Sequence, residues 1–248
     1  MVTLLNYQYQ IFPFKYVCWQ LNESFSRVRA REWIDYDEDA KKFLCLNRWP
    51  KQHRFYFMSQ MNKHNLLDQF NWSFLKRIES YEDFEYDVAF PFNWTDDHEE
   101  FGKLTPQLYD GGSIKLSGLY WDFPNHKKES LMYIVTESEF THTPIKDVSE
   151  KTWRPIAMQM PFIMIGQTYS LRRLRDIGYR TFHSIWDESY DEIRNSDERM
   201  STIVDLVVEL NSREDFRDMI DSCREIVKHN YKLLKLRRSE DNMISALL

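Results

Sequence analysis

An acidic and a basic side chain, Glu150 and Lys151, follow Ser149 where the sequence changes from a loop pattern to a helix pattern. Ser149 suits the N-cap, because its hydroxyl can accept a backbone N–H of the first helical turn. A helix N-terminus attracts anions, and Lys151 would add a positive charge for a diphosphate. Glu150 could accept hydrogen bonds from the hydroxyls of a ribose. The alternative is an ordinary first-turn glutamate beside a solvated lysine.

A second group of polar side chains lies earlier in the chain. Asn47 and Arg48 follow an apolar run, and Arg54 comes after a Trp–Pro turn. Arginine binds phosphate through two parallel hydrogen bonds, so Arg48 and Arg54 could face one ligand between a strand and the next helix. The alternative is a pair of surface arginines beside the turn.

Two acidic segments could bind hydroxyl groups. Glu137, with Ser138 beside it, directly follows an apolar run, and its carboxylate could hold a ribose or sugar hydroxyl at the end of a strand. The alternative for Glu137 is a surface residue at a strand end. Residues 187–192 (DESYDE) indicate an acidic turn that caps a helix, in preference to a site for substrate hydroxyls.

The elements that must position these side chains alternate between strand and helix patterns. This alternation is typical of a mainly parallel sheet with helices on both faces, so the sequence predicts a Rossmann-like α/β fold. Such folds bind ligands at the carboxyl ends of their strands. We expect strands at 41–47, 71–75, 131–136, 161–165 and 182–185, and helices from 51, from 150, and over 170–177, 197–210 and 213–236.

Residues 41–248 are predicted to form one domain, preceded by an arm at 1–40 and interrupted by an irregular excursion at 79–128. The net charge of −6 argues against a broad basic face for nucleic acid. The three cysteines include no CxxC pair, which disfavours disulfides and zinc and fits a reducing cytoplasm. No apolar run approaches the ~20 residues of a membrane helix. The sequence also has no P-loop, GxGxxG or GxSxG motif.

Three segments in order resemble the donor-binding domain of fucosyltransferase-like enzymes with the GT-B fold. They are FLCLNRWPKQHRFYFMSQM (43–61), YIVTESEF (133–140) and SEKTWRPIAMQMPFIMIG (149–166). The resemblance covers about 41–211 and departs from the family at Ser149, where threonine is usual. The chain, with IGYRTFHSIWDESYDEI at 177–193, also resembles uncharacterised glycosyltransferase-like proteins of bacterial viruses.

The resemblance implies one half of a GT-B glycosyltransferase that takes a nucleotide-sugar as co-substrate and needs no metal or cofactor. Arg54 and Lys151 would contact the diphosphate, Glu150 the ribose, and Glu137 would line the donor site. Asn47 and Arg48 belong to the same donor-binding set.

The resemblance leaves the catalytic base unassigned. The family's acceptor domain, which supplies the base, would be missing here or reduced to 1–40, so a second copy or a partner subunit could complete the cleft. The acceptor is open, with a modified base of viral DNA as one candidate in the host cytoplasm. The alternatives are a non-catalytic binding or assembly module, and a metal-dependent transferase that uses Asp35 and Asp37.

Overall fold

A computed structural model describes most of the chain from Tyr36 onward. Asp35 and the rest of the predicted arm up to that point lie outside the described residues. The described residues are 36–48, 50–84, 90, 92–105, 107, 128–142 and 148–247.

Four parallel strands form the sheet of the described part, in the order β2-β1-β3-β4. Every residue of β3 is buried, as expected for a strand that is covered on both faces. The sequence therefore predicted the fold class correctly, as α/β with a parallel sheet. The strands are β1 (Lys41–Asn47), β2 (Phe70–Phe74), β3 (Ser130–Thr136) and β4 (Phe162–Ile165).

Seven α-helices accompany the sheet among the described residues. Crossovers between parallel strands are almost always right-handed, and β1→β2 and β3→β4 advance in opposite directions across the sheet, so α1 and α3 belong on opposite faces. The helices are α1 (Gln52–Lys63), α2 (Asp96–Lys103), α3 (Glu150–Met158), α4 (Ser170–Asp176), α5 (Ser196–Ser212), α6 (Phe216–Ser222) and α7 (Arg224–Leu247).

Aromatic side chains fill much of the core on the α1 side of the sheet. The ring of Phe55, on α1, packs against those of Phe74, Trp94 and Phe101 with centroids 5.8, 5.4 and 5.0 Å away. Aromatic pairs of this kind stabilise the core beyond the contribution of the apolar area that the rings bury. They fix α1, and with it the residues at its N-terminus, against the sheet. No helix of the described part combines the length and apolarity needed to cross a membrane.

The four strands and the start of α3 lie within one residue of their predicted positions, but two predictions were wrong. Residues 182–185 form a turn, because the N–H of Phe182 donates to the carboxylate of Glu188 (2.7 Å) instead of to a strand. The helix expected over 213–236 is two helices that meet at Cys223. The irregular excursion at 79–128 contains an unpredicted helix, α2.

Candidate functional site

The sheet has a topological switch point between β1 and β3. From β1 the chain crosses to β2 on one side, whereas β3 and β4 lie on the other side. Ligands of open α/β sheets bind in the crevice outside the carboxyl ends of strands at such a point. The residues at the ends of β1 and β3 are those that the sequence indicated: Asn47 ends β1 and Arg48 follows it, and Glu137 and Ser138 follow β3.

Asn47 joins β1 to β3. Its amide oxygen accepts a hydrogen bond from the hydroxyl of Thr136 (2.7 Å), and its amide nitrogen contacts the sulfur of Cys45 (3.4 Å). Asn47, Thr136 and Cys45 are all buried. The next residue, Arg48, is exposed, so it is the member of this pair that reaches solvent.

Arg54 lies beneath the edge of the sheet, not on the surface. It is only 3% exposed, and its guanidinium donates to the backbone carbonyl of Glu137 (2.9 Å). The Nε2 atom of His53 lies 3.0 Å from the same oxygen. The first turn of α1 thus holds the end of β3. The sequence placed His53 in the same segment as Arg54 but indicated no role for it.

Glu137 is buried as well, at 3% exposure, so the alternative of a surface glutamate is wrong. Its carboxylate accepts hydrogen bonds from the N–H of Ser138 (3.2 Å), the N–H of Ser149 (3.2 and 3.3 Å to its two oxygens) and the hydroxyl of Thr152 (2.5 Å). Ser149 and Thr152 belong to the start of α3. The carboxylate therefore links the end of β3 to the N-terminus of that helix.

Lys151 lies in the first turn of α3, as predicted. The hydroxyl of Ser149 accepts the N–H of Lys151 (3.3 Å), so Ser149 is the N-cap. The ammonium group of Lys151 donates to the hydroxyl of Ser138 (3.0 Å), which brings it to the end of β3. The backbone of Glu150 begins the helix, and its side chain lies outside the described part of the structure.

A further basic residue at this edge was not singled out in the sequence. Lys51 precedes α1 and is partly exposed, and its ammonium lies 3.7 Å from the carboxylate of Glu139. Together with exposed Arg48 and half-buried Lys151, it gives this edge three positively charged side chains with solvent exposure, in addition to the buried Arg54. Such groups bind phosphates and stabilise negative charge that develops on a leaving group.

The acidic turn at 187–192 is structural, and the prediction that it caps a helix is confirmed. The two oxygens of Asp191 accept the N–H groups of Leu171 and Arg172 in α4, both at 2.9 Å. The carboxylate of Glu188 accepts hydrogen bonds from Phe182 (2.7 Å) and Arg175 (3.2 Å). Burial raises the pKa of both Glu188 and Asp191.

Of the two aspartates proposed for a metal, only Asp37 lies in the described part of the chain. It is exposed before β1. Among the described residues, no group of three or more histidine, cysteine, aspartate or glutamate side chains could hold a metal ion.

The fold and the site define a parallel α/β protein whose basic side chains gather at the switch point of the sheet. Comparison with known proteins gives no family for it, since no family model matches the sequence and no curated protein or solved structure matches it significantly.

Proposed function

We propose that this protein is a glycosyltransferase that binds a nucleotide-sugar at the switch point between β1 and β3 and transfers the sugar to a hydroxyl acceptor. The observation that carries the proposal is the bond between Lys151 and Ser138 (3.0 Å), which holds a positive charge at the N-terminus of α3 and at the end of β3. A diphosphate bound there would meet both the helix dipole and the ammonium.

Arg48 and Lys51 would form the opposite side of the phosphate site, because both follow β1 and retain exposure to solvent. Arg54 and Asn47 are buried and bonded to β3, so we assign them to the floor of the site. Glu150, at the first position of α3, would accept the ribose hydroxyls.

The proposed reaction breaks the bond between the sugar anomeric carbon and the diphosphate oxygen. The acceptor hydroxyl attacks that carbon and gives its proton to a base that we do not assign. The departing diphosphate gains negative charge, and the cations around it lower the barrier by stabilising that charge.

The test is a thermal-shift screen of the full chain against nucleoside diphosphates and nucleotide-sugars, repeated with Lys151→Met. A ligand at 100 times its Kd should stabilise the wild type by about 2.7 kcal/mol, and Lys151→Met should remove most of this shift. Lys228→Met is the matched control, because Lys228 lies on α7 and pairs with Glu225 (3.2 Å). If no nucleotide or nucleotide-sugar stabilises the wild type, the proposed function is wrong.

A turnover assay separates an enzyme from a binding module with the same half-fold. Incubation with the nucleotide-sugar that gives the largest shift should release nucleoside diphosphate, either to an acceptor or by slow hydrolysis. Binding without release of nucleoside diphosphate under any acceptor condition would favour the non-catalytic alternative.

A further inference from the structure

Glu137 is bonded to three separate parts of the chain around the proposed donor site. Its carboxylate accepts from Ser149 and Thr152 at the start of α3 and from the N–H of Ser138. Its backbone carbonyl accepts from Arg54 in α1. A carboxylate has only acceptor sites, which suits the three groups that donate to it: the N–H of Ser138, the N–H of Ser149 and the hydroxyl of Thr152.

The position of this side chain is also fixed by packing. A Cβ atom added to Gly166, which follows β4, would lie 3.3 Å from Cγ of Glu137 and 3.3 Å from the hydroxyl of Ser170. Contacts this short are tighter than ordinary van der Waals contact, so a larger residue would require Glu137 and Ser170 to shift by a few tenths of an ångström. The end of β4 therefore closes over the aliphatic part of Glu137.

Two of the groups proposed to surround the diphosphate, Lys151 and Ser138, depend on this carboxylate. It holds the first turn of α3, which carries Lys151, and it holds the N–H of Ser138, whose hydroxyl accepts from the ammonium of Lys151. Moving the carboxylate would therefore move the cation and the hydroxyl together.

We propose that Glu137 is a positioning residue, which fixes Lys151 and Ser138 for the donor diphosphate and does not itself bind the sugar or the ribose. This inference rests on the proposed function. It differs from the role expected from the sequence, in which Glu137 offers its carboxylate to a hydroxyl of the ligand. In the structure, protein donors at 2.5–3.3 Å already occupy that carboxylate.

The test is a double-mutant cycle of Glu137→Gln and Lys151→Met, with calorimetric binding of ADP, CDP, GDP, TDP and UDP. Partners that orient a ligand-binding group contribute about 10–100-fold in affinity at metal sites, and we expect about tenfold weaker binding for Glu137→Gln. Because Glu137 would act largely through Lys151, Glu137→Gln should weaken binding much less in the Lys151→Met background than in the wild type. Two effects that multiply independently would overturn the proposal, as would unchanged binding by Glu137→Gln.

Milder variants keep the test decisive if Glu137→Gln fails to fold. Thr152→Val removes the hydroxyl that donates to Glu137 and should weaken binding, whereas Thr152→Ser retains a hydroxyl and should restore it. Equal affinities for these two variants would contradict the positioning role.

A variant of a carboxylate elsewhere in the fold distinguishes a loss of positioning from a general loss of stability. Glu188→Gln also alters a buried carboxylate that accepts a backbone N–H, but one bonded to Phe182 and Arg175 instead of α3. It should lower the free energy of unfolding and leave the nucleotide Kd unchanged. If it weakens binding as much as Glu137→Gln does, the effect is one of stability and the inference is wrong. If the wild type binds none of the five nucleotides, the proposed function itself fails and the inference falls with it.

Discussion

The hydroxyl of Thr136 donates a hydrogen bond to the side-chain oxygen of Asn47 over 2.7 Å. These are the last residues of β3 and β1, and both are buried. The bond joins the carboxyl ends of the two strands that border the switch point. It forms the floor beneath the cations of the proposed phosphate site.

Thr136→Val should therefore destabilise the protein although it conserves the shape of the side chain. It leaves the buried oxygen of Asn47 without this donor, which costs about 1–3 kcal/mol. Thr136→Ser keeps the hydroxyl and should cost less. Urea unfolding of the three proteins measures the difference, and a stability of Thr136→Val equal to that of Thr136→Ser would show that the bond contributes nothing.

Arg199, on α5, is buried and holds the loop that follows β3. Its guanidinium donates to the carbonyls of Ile193 (2.7 Å) and Thr141 (3.1 Å), and it lies 4.2 Å from the ring centroid of Phe140. Burial lowers the pKa of Arg199 to about 10, so it remains charged at neutral pH. The charge-assisted bonds therefore persist under ordinary conditions.

Arg199→Lys should lower the free energy of unfolding by about 2–4 kcal/mol, because one ammonium cannot reproduce the geometry of the guanidinium and leaves buried carbonyls without a donor. Arg217→Lys is the control, since Arg217 is exposed while it donates to the carbonyl of Glu38 (2.8 Å). The control should change stability by less than about 0.5 kcal/mol. Similar losses for the two variants in urea unfolding would contradict the importance of burial.

Glu188 should make the stability depend on pH in a direction opposite to that of an acid whose pKa is lowered by an ion pair, because burial outweighs its pairing with Arg175. Burial raises its pKa above the ordinary 4.5, so the folded state binds the proton more tightly than the unfolded state. Its contribution to stability is full below pH 4.5 and is lost as the pH rises through the raised pKa. Glu188→Gln cannot titrate and lacks this contribution at every pH.

The wild type should therefore gain stability relative to Glu188→Gln as the pH falls from 7 toward 4.5. Unfolding both proteins in urea at several pH values within this window measures the gap, and the other titrating groups cancel in the difference. Asp191→Asn should behave in the same direction, because burial raises that pKa too. If the unfolding free energy of the wild type minus that of Glu188→Gln decreases as the pH falls, the prediction is wrong.

The strands could be predicted from the sequence because each is marked by a local run of apolar residues. The apolar runs of β1, β3 and β4 are buried on both faces, and Ser149 marks the start of α3. In contrast, α2 lacks an apolar stripe, since its buried residues are His98, Phe101 and Gly102. The capping signal of Thr95 before an acidic turn was present, but no periodicity supported it. The break at Cys223 carries neither glycine nor proline.

The sequence indicated the neighbourhood of the site but not the roles within it. The predicted strand ends and helix start place Arg54, Glu137 and Lys151 at one edge of the sheet, as expected for parallel strands. Which of them face solvent depends on partners far along the chain. Arg54 bonds a carbonyl 83 residues away, and a backbone carbonyl carries no sequence signal. Ser138 and Thr152 became significant only through the atoms that they contact.

The two arginines that the sequence could not distinguish should separate clearly by experiment. Arg54→Met removes a buried donor to the carbonyl of Glu137 and should lower the free energy of unfolding by about 1–3 kcal/mol. Arg48→Met changes an exposed side chain and should alter stability by less than about 0.5 kcal/mol.

If Arg48 contacts the diphosphate, Arg48→Met should also weaken nucleotide binding. The loss of affinity should be smaller at high salt, because salt screens exposed charges. Urea unfolding and calorimetry at two salt concentrations give both quantities. A destabilised Arg48→Met with unchanged nucleotide affinity would reverse the assignment, making Arg48 structural and leaving Lys51 and Lys151 as the cations of the site.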